Sequence, residues 1–224
     1  MNEFSPILSI ETSDELCSAA IMLSEDSFAE INFQKKNIHS EKLMVMISDL
    51  LKVSDIKLEN IGAIAVSIGP GSFTGLRIGL TVAKGLSVGS DIKIIPVPTF
   101  DALALQLSGV LADNSTFVIA NNANINEVYY AKYKSSNKNY ELITETCLMD
   151  KSDFNANFNK MDLHFGNFPF EKSYFKTTSP NAISIAKWAY IFGKDLVNFD
   201  HDLLEPNYLK NFVVKKKWKN IIFC

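Results

Sequence analysis

The sequence predicts an α/β protein in which helices pack on a mixed sheet, and three observations lead there. Three short apolar or alternating runs open the chain, at 6–10, 17–23 and 28–34, joined by polar turns, as an antiparallel meander requires. Strand-length apolar runs at 61–68 and 93–97 then alternate with helix-length amphipathic segments, the pattern of crossover connections and parallel pairing. The composition of the 224 residues, 47% apolar and 21% charged, excludes a largely disordered chain.

Taken in order, 6–10 is a short apolar strand. The run at 17–23 is a second, in which Cys17 stands beside Ser18, Ala19 and Ala20 as a small buried residue. Along 28–34, Ala29, Ile31 and Phe33 share one face and Glu30, Asn32 and Gln34 the other, so one side of the meander is expected to be solvated. The segment 40–53 is an amphipathic helix with Leu43, Met46, Ile47, Leu50 and Leu51 on one face, Met44 at its margin and Val45 pointing away. The apolar run at 61–68 reads as a strand covered on both faces. A glycine-rich turn leads into a helix over 74–88. There Gly75, Gly79 and Ala83 fall at i, i+4 and i+8, a smooth stripe open to close approach by another backbone. Leu76, Ile78, Leu80, Val82, Leu86 and Val88 cover most of the remaining circumference, leaving Arg77, Thr81 and Lys84 on a narrow polar edge. Such a helix needs two partners, the sheet and either a second helix or a second chain.

A strand at 93–97 and a helix over 100–111 complete this half. A polar break at 113–115 precedes a hairpin, 117–120 with 127–134, and a third strand at 139–148. This repeats the opening meander coarsely and suggests two related units, 1–111 and a smaller 112–224. The segment 150–178, rich in Asn, Phe and Lys, reads as loop with short pieces of structure. Ser179 as N-cap and Pro180 at the first position open a last helix ending near Gly193. An extended packing segment is expected at 203–214 and a basic tail, KKKWK, at 215–219.

A net charge of −3 provides no global positive field for nucleic acid, so RNA contact is expected to be local or made through a partner. The tail at 215–219 is either a solvated end or a place where lysines meet phosphate and Trp218 stacks. No apolar run approaches the roughly 18–20 residues of a membrane span, and the N-terminus lacks a basic leader. The expectation is a soluble, cytoplasmic protein. Cys17, Cys147 and Cys224 form no CxxC pair, and His39, His164 and His201 form no HxxxH or HxH spacing, so the sequence offers no recognisable thiolate or imidazole metal site. The turn GPGSFTGLRIG at 69–79 lies where a helix N-terminus favours an anion, with Ser72 or Thr74 able to donate or cap. The alternative is a tight strand-to-helix turn whose glycines supply unusual backbone angles. It is neither a Walker loop nor a dinucleotide fingerprint. His39, expected on an exposed first helical turn, has no acid–base partner nearby in sequence, which points to a structural or interface role.

ILSIETS at 7–13, IHS at 38–40, GPGSFTGLRIG at 69–79, NEVYYA at 126–131 and EPNYL at 205–209 resemble the TsaB (YeaZ) family. The resemblance implies an actin-like/Hsp70-like ATPase fold of two RNase H-like domains around a cleft. Residues 1–111 would carry the dimerisation helices, and 112–224 would form a degenerate second domain with the basic tail. It implies a non-catalytic subunit in synthesis of the threonylcarbamoyl modification of the anticodon-adjacent adenosine of tRNA. That subunit pairs with a TsaD-type paralogue, is joined by a TsaE-type ATPase, reaches tRNA through the complex and can also form a homodimer. ATP, magnesium and the catalytic metal belong to the partners; this chain lacks the HxxxH of a TsaD-type metal centre. The implied pairing surface is His39, Leu43, Met46, Ile47, Leu50 and Leu51 on the first helix. On the second it is Gly75, Ile78, Gly79, Val82, Ala83 and Leu86. The implied degenerate phosphate loop is Glu11, Gly71, Ser72 and Thr74, with no catalytic residue and no metal ligand. Where the family usually has an acid, an arginine and a glycine before Glu-Val-Tyr, this chain reads ANNANIN at 120–126. A cleft that binds nucleotide poorly follows. The alternative is an ATP-binding phosphotransferase or ATPase of the same superfamily, using Glu11, Ser72 and Thr74.

Overall fold

The opening meander and the two crossovers merge into one sheet. A computed structural model describes residues 4–157, 162–169, 174–197 and 204–209; the run at 215–219, His201 and Cys224 lie outside the described residues. Strands β1 (Ile7–Glu11), β2 (Leu16–Ser24), β3 (Ser27–Gln34), β4 (Ala63–Gly69) and β5 (Lys93–Pro98) lie in the order β3-β2-β1-β4-β5. The first three pair antiparallel, whereas β1, β4 and β5 run parallel. Helices α1 (His39–Val53) and α2 (Phe73–Ser90) cover one face, where Leu8, Ile10, Cys17, Ile21, Ile64 and Val66 meet Leu43, Ile47, Leu50 and Leu80. Alternate residues of the same strands, Ile7, Ala20, Met22, Ala63 and Ala65, pack on the opposite face against α5 (Ala182–Phe192).

That second cover corrects the expectation of a solvated side. Glu30 does not face water freely: its carboxylate accepts the Ile183 backbone N–H at 2.8 Å and lies beside Asn181 Nδ2 at 3.3 Å. Ala29 and Ile31 do pack on the core, but Phe33, farther along this edge strand, is exposed. The N-cap of α5 also differs. Asn181, not Ser179, is the cap, its Oδ1 accepting Ser184 N–H at 3.2 Å. Tertiary contacts select it, because Asn181 N–H also donates to Gln106 Oε1 at 2.9 Å.

A second mixed sheet, in the order β8-β7-β6-β9, is built from β6 (Thr116–Asn122), β7 (Glu127–Ser136), β8 (Asn139–Asp150) and β9 (Leu163–Gly166). Strand β9, parallel to β6, and α4 (Lys151–Asn157) are the structured pieces within 150–178. Helix α3 (Thr99–Ser108) stops at Gly109, earlier than its apolar pattern suggests, and joins the sheets. Ala102 and Leu105 pack toward the first, while Phe100, Leu103 and Leu107 pack toward Phe117, Tyr133 and Phe165 of the second. Polar bonds reinforce the junction: Tyr133 OH donates to Asp101 Oδ1 at 2.8 Å and Trp188 Nε1–H to Tyr140 OH at 2.9 Å. Burial raises the pKa of Asp101 and of both tyrosines, and the nearby Asp101 charge pushes the tyrosines further. Residues 204–209 strap across the first sheet, with Leu204 in its core and Asn207 N–H donating to Ile68 O at 2.7 Å.

Asn181→Ala should destabilise the fold by about 1 kcal/mol through loss of the α5 cap, read as a lower urea midpoint. Ser179→Ala should leave that midpoint nearly unchanged.

Candidate functional site

Strand β1 runs out at Glu11, and the next two residues hold the glycine turn. Ser13 N–H donates to Glu11 Oε1 at 2.5 Å, and Ser13 O accepts Ser72 N–H at 2.6 Å. Ser72 is the N-cap of α2, its Oγ accepting Gly75 N–H at 3.3 Å. Gly69 has φ +114°, a left-handed conformation that a residue with a Cβ rarely adopts. At Gly71 a Cβ would sit 2.5 Å from Ser13 O. The turn is therefore pressed against the end of β1, and its amides are partly committed within the fold.

Glu11 is fully buried. Its Oε2 and the nearby Ser67 Oγ make no hydrogen bond of normal geometry. Burial raises its pKa from the ordinary 4.5 to about 7, although contacts from Ser13 and Ser67 favour the anion. Burial thus draws this carboxyl toward its neutral form, and it faces protein rather than solvent.

Between the sheets lies a cavity of about 270 Å³ lined by Ser13, Asp14, Gly71, Ser72, Phe73, Tyr129 and the far wall. That wall is a set of asparagines hydrogen-bonded to one another and to nearby backbone. Asn121 Nδ2–H donates to Thr178 O at 2.7 Å, and Asn121 Oδ1 accepts Asn167 N–H at 3.0 Å. Asn122 N–H donates to Asn167 Oδ1 at 2.7 Å, and Asn122 Nδ2–H to Asn167 O at 2.9 Å. Among the described residues, Asp14 is the sole charged one lining the cavity, and no lysine or arginine lines it. A magnesium–nucleotide requires oxygen ligands for the cation and donors or cations for the phosphates. With Glu11 sealed away and the asparagines paired together, these residues do not fit that group.

The second feature is a groove of about 520 Å³ between α1 and α2, lined by His39, Leu43, Met44, Phe73, Arg77, Ile78, Thr81 and Val82 among others. Met44 is 49% exposed, Val45 52% and Phe73 43%. Arg77 braces one rim. Its guanidinium lies 4.0 Å from the Phe73 ring centroid, and its Nε–H donates to Tyr208 OH at 2.9 Å. The EPNYL segment thus contributes directly to this face.

A family model described as "TsaD: tRNA N6-adenosine threonylcarbamoyltransferase" matches residues 33–216. The tRNA threonylcarbamoyladenosine biosynthesis protein TsaB of Haemophilus influenzae is 29% identical over 228 residues, covering 94% of this chain and 96% of its own. The chain belongs to this family, in its TsaB (YeaZ) branch. TsaB of Escherichia coli K12 is 37% identical over 131 residues, 57% of this chain and 54% of the relative, so that match spans about half its length. The structure of YeaZ from Pseudomonas aeruginosa superposes with a TM-score of 0.76 over 90% of this chain and 99% of its own, at 22% identity, and shows the same fold.

The structure redistributes the residues that the TsaB resemblance placed on a pairing surface. Leu43, Met46, Ile47 and Leu50 are buried against the chain's own sheet, Leu43 at only 1% exposure. Gly75 and Gly79 lie against Thr12: a Cβ at 75 would overlap Thr12 O, and one at 79 would overlap Thr12 Oγ1. Ala83 is buried in the same core. His39, expected on an exposed turn, is only 6% exposed, with Nε2 3.3 Å from Leu16 O. Leu51, Ile78, Val82 and Leu86 remain half-buried, and Met44 and Phe73, which line the groove, are exposed. Periodicity marked both helices as too apolar for one partner but could not say which stripe the sheet would take. Of the residues implied as a degenerate phosphate loop, Gly71 and Ser72 line the cavity, Thr74 lines the α1–α2 groove, and Glu11 is buried and lines neither. The paired Asn121 and Asn167 were not predictable, because their contacts lie far apart in sequence.

The raised pKa of Glu11 makes a stabilising contribution present in full below about pH 4.5, diminishing through the range to 7 and absent above it. Wild-type stability should therefore fall between pH 5 and pH 8 by on the order of 3 kcal/mol relative to Glu11→Gln, measured as the difference between their urea-unfolding free energies.

Proposed function

We propose that this chain is the non-catalytic TsaB-type subunit of a tRNA threonylcarbamoyladenosine synthesis complex. In this reading it pairs with a TsaD-type paralogue through the α1–α2 face, and a TsaE-type ATPase joins the pair. The observation that supports it most directly is the apolar groove between α1 and α2, lined by exposed Met44 and Phe73. Four apolar side chains, Met44, Phe73, Ile78 and Val82, line it beyond what the core has taken, and such a patch marks a contact surface. The same face serves a homodimer when the paralogue is absent. Contact with tRNA is made through the complex, and ATP and magnesium belong to the partners.

A second reading, an ATP-binding phosphotransferase or ATPase, draws on Gly71 and Ser72 lining the cavity at the α2 N-terminus. The neutral asparagine wall and the burial of Glu11 weigh against it.

Reconstitution with the TsaD- and TsaE-type proteins of the same organism, each left out in turn, should show threonylcarbamoyl transfer to tRNA only with this chain present. Transfer at the same rate without it would overturn the assignment. Met44→Asp combined with Val82→Asp should abolish pairing in sedimentation while circular dichroism stays native, whereas Leu43→Asp should unfold the chain. Titration calorimetry with ATP and magnesium should give no saturable binding to the isolated chain. A micromolar dissociation constant, or phosphate release by the chain alone, would favour the second reading.

A further inference from the structure

We propose that the buried Glu11-Thr12-Ser13 segment is a clamp that positions helix α2 for pairing, with Glu11 as a positioning residue that acts through Ser13. The proposal rests on the assignment of the α1–α2 face as the pairing surface and deepens it.

Two hydrogen bonds tie the segment to the start of α2, and a third braces the segment itself. The Glu11 carboxyl accepts the Ser13 amide N–H at 2.5 Å within the segment, and the Ser13 carbonyl accepts the amide N–H of Ser72, the N-cap of α2, at 2.6 Å. The two bonds fall on the two peptide groups that flank Ser13, so the Glu11 side chain acts on the residue whose carbonyl holds the cap. Next to it, Thr12 Oγ1–H donates to Gly75 O at 2.8 Å, one turn into the helix. Gly75 and Gly79 then allow α2 to rest directly on Thr12. Phe73, Thr74, Arg77 and Ile78, which line the groove, lie on the same two turns. A shift at the clamp is therefore a shift of half of the pairing face.

The clamp also accounts for an acid at this place without a charged partner. Glu11 is completely buried, the carboxyl is not among the groups lining the cavity, and Oε2 has no well-formed bond. A buried carboxyl is costly unless it forms specific hydrogen bonds. The one well-formed bond it makes is the Ser13 link that leads to α2. The titratable groups whose charges couple to it are Asp14, beyond Ser13, and Cys17 on β2.

The test uses the full chain with the TsaD-type protein of its own organism. Glu11→Ala should weaken pairing by roughly tenfold, the effect of losing one well-placed hydrogen bond. It should also speed amide exchange at 73–78 and leave the second sheet unchanged. Glu11→Gln, which keeps an acceptor for the Ser13 amide, should restore both. Wild-type pairing by Glu11→Ala, or failure of Glu11→Gln to rescue, would overturn the proposal. If Glu11→Ala does not fold, Thr12→Val serves in its place: it removes the bond to Gly75 O at nearly constant shape and should slow neither folding nor second-sheet protection while weakening pairing. Unchanged pairing by that variant would count against the clamp. A rise in melting temperature with magnesium in wild type but not in Glu11→Gln would also overturn it, because the acid would then be holding a cation. Met44→Asp separates the two claims. It should abolish pairing without altering exchange at 73–78, and normal pairing by Met44→Asp would refute the surface while the exchange data still decided the clamp.

Discussion

The close seating of helix α2 on the end of strand β1 is the constraint from which the functional geometry follows. Gly75 and Gly79 stand where any Cβ would collide with Thr12, so the helix lies nearer the strand than ordinary side chains permit. Each glycine inside a helix costs roughly 1 kcal/mol relative to alanine, and these two return that cost as contact. Gly85 and Gly89 show the contrast, since nothing lies within 4 Å of a Cβ built there. The tight seating brings Ser72 onto Ser13, closes the glycine turn over Glu11 and turns Ile78 and Val82 toward α1. One backbone contact thus sets both the floor of the cleft and the orientation of the outer face.

Charge tells a consistent story on the two sides of the cleft. On the β1 side, behind the lining, the carboxyl of Glu11 is withdrawn from solvent and drawn toward its neutral form. On the other, Asn121, Asn122 and Asn167 spend their amides on one another and on Thr178. An amide network satisfied internally rigidifies a seam, and it offers little to a phosphate. The cleft walls are further fixed by α3, which contributes to both cores, and by the Tyr133–Asp101 and Trp188–Tyr140 bonds. The space between the sheets is better described as a braced joint than as a pocket awaiting charge.

Local pattern made much of the architecture legible. The order of strands and helices follows from apolar periodicity, and the burial of Cys17 follows from its small apolar neighbours. What local pattern cannot encode is direction in three dimensions. The stripe Gly75-Gly79-Ala83 announces close approach, but only the fold shows that Thr12 is what approaches. Leu43 and Ile47 have the spacing of a contact face, and spacing alone does not separate a chain's own sheet from a partner. His39 reads as an exposed helix start until β2 is placed behind it. Strand β9 was hidden in an aperiodic segment because it is four residues long and takes its register from β6. In each case the missing information is a contact between residues distant in sequence.

The strength of the proposed pairing can be weighed from what remains outside the core. Met44 and Phe73 are each about half exposed, with Ile78 and Val82 less so. Full burial of such a side chain is worth about 1.5–3 kcal/mol, and these side chains have part of that still to gain. Association itself costs about 4–15 kcal/mol in lost freedom and ordering, a quantity of the same size as the gross gain from this patch. When the two terms nearly balance, the affinity is decided by how little must be ordered at the moment of contact. Arg77, already held between Phe73 and Tyr208, and α2, already seated on Thr12, are ordered in advance. A modest apolar face then supports a specific complex because its frame is fixed before the partner arrives, and the residues that fix the frame matter as much as those that touch.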